Sequence, residues 1–105
     1  MKEKESDIVR AICDYLEYRR VFFWRQNTAL NKSNDGWSFR RMPTHALKGV
    51  PDIIVIKAVQ FIGFKAKRGK GKLSLEQVAF RLRAEAAGAR YYVVRSIDDV
   101  TAIGL

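Results

Sequence analysis

The chain has 105 residues, with 20 Lys+Arg against 11 Asp+Glu for a formal net charge of +9; 48% of residues are apolar and 30% charged. That balance is too apolar for an intrinsically disordered chain and too charged for a membrane span, and the length suits one domain over residues 1–105. No run of roughly 18 uncharged apolar residues exists, the first residues lack the apolar segment of a secretory signal, and the lone Cys13 excludes an internal disulfide or a cysteine zinc cluster. The chain therefore reads as a soluble, intracellular protein of a reducing compartment. A pI near 10.1 gives a field that attracts polyanions, nucleic acid before an acidic protein or a membrane surface.

Residues 3–18 read as a helix, because Ile8, Ile12, Tyr15 and Leu16 recur at helical spacing while Asp7, Arg10, Asp14 and Glu17 fall off that stripe. The β-branched and aromatic run over 21–26 reads as a strand, and residues 28–48, with Asn31, Ser33, Asn34, Asp35, Gly36 and Pro43, as a long irregular loop. Asp52-Ile53-Ile54-Val55-Ile56 suits a strand buried on both faces. A second strand follows over 60–67. Ser74-Leu75-Glu76-Gln77 has the form of a capping box, opening a helix to about Ala87 whose apolar stripe is Leu75, Val78, Ala79, Leu82 and Ala86. Residues 90–95 read as a third core strand, and 96–100 as the start of a short last helix. The expected architecture is α/β, a mixed central sheet flanked by helices in the order α-β-β-β-α-β-α.

The strands over 52–57 and 60–67 are close enough to pair as an antiparallel hairpin. A two-residue loop at Ala58-Val59, a poor pair for a type I′ turn, sets Lys57 opposite Gln60, Ile56 opposite Phe61, Ile54 opposite Gly63 and Asp52 opposite Lys65. On that register the Asp52 and Lys65 Cβ atoms lie roughly 4.5–5.5 Å apart. Lys67 shares their face through the period of two. Charges grouped at one end of an apolar hairpin indicate either a structural salt bridge or a site.

Gly49-Val50-Pro51-Asp52, the spaced Lys65-Ala66-Lys67 and Gly71-Lys72-Leu73-Ser74-Leu75-Glu76-Gln77 together resemble the signature of the VRR-NUC domain, the virus-type replication-repair nuclease branch of the PD-(D/E)XK superfamily. Glu5 with Ile8 resembles the family's first-helix acidic residue, and residues 88–100 its last strand and turn. The resemblance covers nearly the whole chain. It implies a restriction-endonuclease-like core and a metal-dependent, structure-specific DNA endonuclease, acting on branched or Holliday-junction-like DNA as a homodimer of phage or prokaryotic type. It further implies Asp52, Lys67 and Gln77 as catalytic residues, and Asp52 with Glu5 as ligands of Mg²⁺ or Mn²⁺.

One residue departs from that pattern. The family's second metal-binding carboxylate aligns with position 65, where this chain has Lys65. A magnesium site wants one or two carboxylates plus waters and phosphate oxygens, so that the metal can lower the pKa of a bound water and offset charge growing on the phosphate. An ammonium opposite Asp52 forms an ion pair instead. The chain as written is thus expected to bind metal weakly and to cut poorly or not at all, leaving a basic DNA-binding module that keeps the nuclease fold as the alternative. Lys65 is open to three readings: a change introduced to silence the site, a naturally degenerate nuclease, or a site in which Glu76 or Glu5 takes the ligand role.

Lys65, Lys67, Arg68, Lys70 and Lys72 form a basic run whose glycines let backbone approach a phosphate, which suits salt-dependent DNA binding by Arg68, Lys70 and Lys72. Arg25, Gln26 and Asn27 end the first strand, and Arg40 and Arg41, with Trp37 and Phe39, stand in the long loop. DNA contact and a structural role are both open to them, with Arg25, Arg40 and Arg41 the DNA-contact candidates. His45 reads as a loop residue before a general base, Cys13 as a packed residue, and one of Tyr91 and Tyr92 should be core.

Overall fold

A computed structural model describes residues 4–26 and 44–105. The elements are α1 (Glu5–Tyr18), β1 (Phe23–Arg25), β2 (Ile53–Lys57), β3 (Gln60–Ala66), α2 (Leu75–Ala86), β4 (Arg90–Val94) and α3 (Ile97–Ala102). The order matches the expected alternation, with β1 shorter than its β-branched and aromatic flanks suggest. The strands form one four-stranded sheet in the order β1-β2-β3-β4. β1–β2 and β2–β3 are antiparallel, and β3–β4, joined through α2, are parallel. The protein is thus mixed α/β, with a mixed sheet between helices. Asn27, Trp37, Phe39, Arg40 and Arg41 lie outside the described residues.

α1 starts where the Asp7 carboxylate accepts from the Lys4 backbone N–H at 3.2 Å, with Glu5 and Asp7 in the first turn to complement the helix dipole. It ends with Arg20 in the left-handed region (φ +59) and the Val21 N–H bonded to the Leu16 carbonyl at 3.0 Å. Its buried stripe is Ile8, Val9, Ile12 and Leu16. With Val100 of α3, these pack on Ile53, Val55, Ile62, Phe64, Ala66 and Val94 in one apolar cluster. The residues of that cluster alternate along β2 and β3, as a single buried sheet face requires. Tyr15 donates from its hydroxyl to the Leu105 carbonyl at 2.9 Å, and Leu105 is itself buried.

The opposite face is covered by α2, and here one expectation is corrected. The helix begins at the capping box read from Ser74 and Gln77, but Leu75, Val78 and Leu82 of the expected core stripe are exposed, by 89%, 39% and 63%. Ala79 and Ala86 are exposed as well, and no α2 residue is buried. The half-buried positions are Gln77, Phe80, Arg81 and Ala84, which also recur at helical spacing. Phe80 sets its ring 6.0 Å from that of Tyr91, a buried residue of β4. Helical period alone located the helix correctly and its inward side wrongly, because the helix has apolar residues on two sides.

Two glycines make the close packing on this face possible. Gly49 has φ +81, and a Cβ there would fall 2.3 Å from the Glu76 carbonyl oxygen, so residues 48–50 press directly on the first turn of α2. A Cβ on Gly63 would fall 2.4 Å from Pro51 Cγ, so the buried Pro51 ring occupies the space a side chain would take. The Gly-Val-Pro-Asp run thus has a packing reason of its own: it seats the chain between α2 and β3 before β2 begins.

Candidate functional site

The hairpin has the expected register, with Lys57 opposite Gln60, Ile56 opposite Phe61 and Ile54 opposite Gly63. Its two-residue loop puts Ala58 and Val59 both at positive φ (+52 and +59), as a type I′ turn demands, on residues that dislike it. Beyond β2 the ladder continues by one residue on each side of Asp52. Its N–H donates to the Phe64 carbonyl and its carbonyl accepts from the Gln26 N–H, both at 2.8 Å. Asp52 is therefore fixed by both neighbouring strands before its side chain makes any bond.

Both carboxylate oxygens are engaged. Oδ1 accepts from Lys65 Nζ at 3.0 Å and Oδ2 from the Ala66 backbone N–H at 2.8 Å. The pair is mostly shielded, with side-chain exposures of 15% for Lys65 and 23% for Asp52. A charge-assisted bond at this distance, with a second donor on the other oxygen, is a well-satisfied carboxylate rather than a vacant ligand. The Lys67 N–H donates to the Val94 carbonyl at 3.1 Å, which extends the β3–β4 ladder past Ala66. Ala66 is in the cluster under α1, so alternation puts Lys65 and Lys67 together on the α2 side.

Several further expected site residues collect at this end of the sheet. Arg25 closes β1, paired with Ile53 at the start of β2, and is exposed. Arg68, Lys70 and Lys72 are exposed on the connection from β3 to α2. Gln77 is committed locally: its side-chain oxygen accepts from the Ser74 N–H at 2.9 Å while its own N–H donates to Ser74 Oγ at 3.2 Å. That leaves only its amide NH₂ to serve a ligand. Glu5 sits half-buried in the first turn of α1, and Glu76 lies 3.8 Å from Lys48 across an exposed pair. Among the described residues, no group of three or more His, Cys, Asp or Glu side chains is placed to hold a metal. His45 is an exposed loop residue with φ +72.

The local electrostatics follow from burial. Cys13 is half-buried beside the core, and desolvation pushes its thiol up, with Arg25 pulling the other way and Asp14 and Asp52 adding to the rise. Tyr91 is 2% exposed and its phenol is pushed up to about 12, chiefly by burial, then by the Asp52 charge, with Arg81 opposing. Among the described residues its hydroxyl has no hydrogen-bond partner. Sequence reasoning expected one of the two tyrosines in the core. It had no signal for a buried phenol within the field of Asp52, which depends on the parallel pairing of Tyr91 with Gly63.

The second residue missed is Arg95. Its Nη1 donates to the Gly69 carbonyl at 2.7 Å and its Nη2 to the Gly71 carbonyl at 2.9 Å. The chemistry available here is thus a fixed carboxylate–ammonium pair at the mouth of an exposed, positively charged turn, at the carboxyl ends of the parallel strands β3 and β4. Ligands of open α/β sheets bind at that end. Compared with protein-family models and with curated protein sequences, the chain matches none.

Proposed function

We propose that the chain is a DNA-binding protein built on a nuclease architecture, a PD-(D/E)XK-like domain of the VRR-NUC type, directed at branched or junction-like DNA and silent in hydrolysis as its sequence stands. The observation that carries the reading is the basic turn. Among the described residues, Lys67, Arg68, Lys70 and Lys72 have no carboxylate within 4.0 Å, whereas the nearby Lys65 is paired with Asp52. Unpaired cations clustered at the carboxyl end of a sheet suit a run of backbone phosphates and make binding salt-dependent.

Hydrolysis by this architecture would need Mg²⁺ or Mn²⁺, and the residues present do not fit one. Asp52 has an ammonium on one oxygen and a backbone N–H on the other, and the position facing it adds positive charge where a ligand is needed. No catalytic step is therefore assigned to the chain as written.

Lys65→Glu tests the reading. It puts two carboxylates opposite each other, which costs stability in the absence of a cation. Magnesium then raises the melting temperature of the variant but not that of the parent, and the variant gains magnesium-dependent cleavage of a labelled four-way junction that Asp52→Ala abolishes again. A Lys65→Glu protein that neither responds to magnesium nor cuts would overturn the nuclease-architecture reading. A symmetric junction calls for two copies with matching symmetry, and sedimentation as a monomer at micromolar concentration would remove that pairing.

A further inference from the structure

We infer that Arg95 is the positioning residue of the phosphate-binding turn over residues 67–72: it holds the turn in its DNA-receptive shape through two of its carbonyls and does not itself contact DNA. The inference rests on the reading of this turn as a DNA contact. Three features of the geometry support it. First, the guanidinium reaches across to two carbonyls of one turn, Gly69 at 2.7 Å and Gly71 at 2.9 Å, using its fork on both. A lysine has no such fork, so the contact is specific to arginine.

Second, the turn has little else to hold it. It is closed by the Gly71 N–H on the Arg68 carbonyl at 3.0 Å, and Gly69 has φ +53 with no atom within 4 Å of where a Cβ would stand. An exposed glycine such as Gly69 carries a high entropy cost of ordering. Third, the base of Arg95 is itself anchored. Its backbone N–H donates to Asp99 Oδ2 at 2.7 Å, at the junction of β4 and α3, while the neighbouring Val94 carbonyl holds the Lys67 N–H at 3.1 Å. The start of the turn and the root of Arg95 are therefore tied to the same strand end. A turn ordered before DNA arrives spares the ordering cost on binding.

The experiment measures affinity for a fluorescent four-way junction over a potassium chloride series, for the full chain and for Arg95→Gln, Lys70→Gln and Gly69→Ala. It is accompanied by amide hydrogen exchange at Gly71 and by circular dichroism to establish folding. Each phosphate contact contributes about 0.9 to the slope of log affinity against log salt on duplex DNA. Lys70→Gln is expected to lower that slope by about one contact. Arg95→Gln is expected to weaken binding about tenfold, to leave the slope unchanged, and to speed Gly71 exchange. Gly69→Ala strains the same turn while keeping the Arg95 side chain, and should likewise weaken binding at unchanged slope. This keeps the test open if Arg95→Gln fails to fold.

A fall in slope for Arg95→Gln equal to that of Lys70→Gln would overturn the inference, because Arg95 would then be a phosphate contact. Unchanged affinity and unchanged Gly71 exchange in Arg95→Gln would overturn it as well. Absence of binding by the parent chain would instead overturn the functional reading, and Arg95's part in recognition with it.

Discussion

On the side of the sheet that carries α1 and α3, burial is done by large side chains: Ile12, Leu16, Ile53, Val55, Phe64, Val94 and Val100 are fully covered. On the α2 side, Ile54 and Tyr91 of the sheet are buried, but much of their cover comes from backbone proximity. Gly49 lies against the first turn of α2, Pro51 fills the space over Gly63, and no side chain of the helix itself is buried. The first side is dry and apolar. The second holds the Asp52–Lys65 pair and the Tyr91 hydroxyl, which has no partner among the described residues. The Asp52–Lys65 pair is tolerated there because it is hydrogen-bonded and partly exposed, and such a half-open layer is also where a ligand gains access. The apolar core and the proposed DNA-binding site thus lie on opposite faces of one sheet, and substitutions on the two faces should fail in different ways.

The largest expected loss is on the apolar face. Phe64→Ala removes a fully buried ring and should cost about 3–5 kcal/mol in urea unfolding, with DNA affinity falling only as far as the folded fraction falls. Gly49→Ala comes next, at about 2–4 kcal/mol, because the new methyl meets backbone at 2.3 Å in a left-handed conformation. Unlike Phe64→Ala, it should also disturb the Ser74–Gln77 cap that the loop presses on, seen as faster amide exchange at Gln77. A neutral Gly49→Ala would break the contrast between the faces.

Tyr91→Phe has the opposite sign. Removing a buried hydroxyl that has no partner among the described residues should stabilise the protein by about 1 kcal/mol. The pH dependence follows from the raised phenol. The unfolded chain ionises near pH 10 and the folded one at about 12, so the folded state holds the proton longer. Stability is unaffected below about pH 10 and falls as pH climbs from there toward about 12. Tyr91→Phe should lack that alkaline component. Destabilisation at neutral pH would mean that the hydroxyl has a partner. The smallest effect belongs to the hairpin turn, where Ala58→Asn with Val59→Gly relieves positive φ on a β-branched residue. It should add about 1 kcal/mol, read as a higher melting temperature, without changing DNA affinity.

The parts of this molecule legible in its sequence are those governed by short-range period. Two apolar runs with almost nothing between them fixed the register that brings Asp52 to Lys65, and Ser74 with Gln77 announced the start of α2 at the correct residue. The inward side of α2 was not legible, because Leu75, Val78 and Leu82 make a convincing apolar stripe while the sheet takes Phe80 and its half-buried neighbours. Arg95 was silent for a different reason. Its partners Gly69 and Gly71 are 26 and 24 residues away and are backbone carbonyls, which carry no sequence signature. Glycine roles were half legible: Gly49 and Gly63 are visible as letters, but the atoms they make room for come from α2 and from Pro51.

The most direct test of the central claim is a nuclear magnetic resonance titration of the chain with a four-way DNA junction in the presence of a chelator, following every backbone amide. Salt-sensitive shifts are expected at Arg25, Lys65 to Lys72 and the Ser74–Gln77 cap, present without any divalent cation, with the α1 and α3 amides still. Shifts centred on α1 and α3, or none until magnesium is added, would contradict that claim.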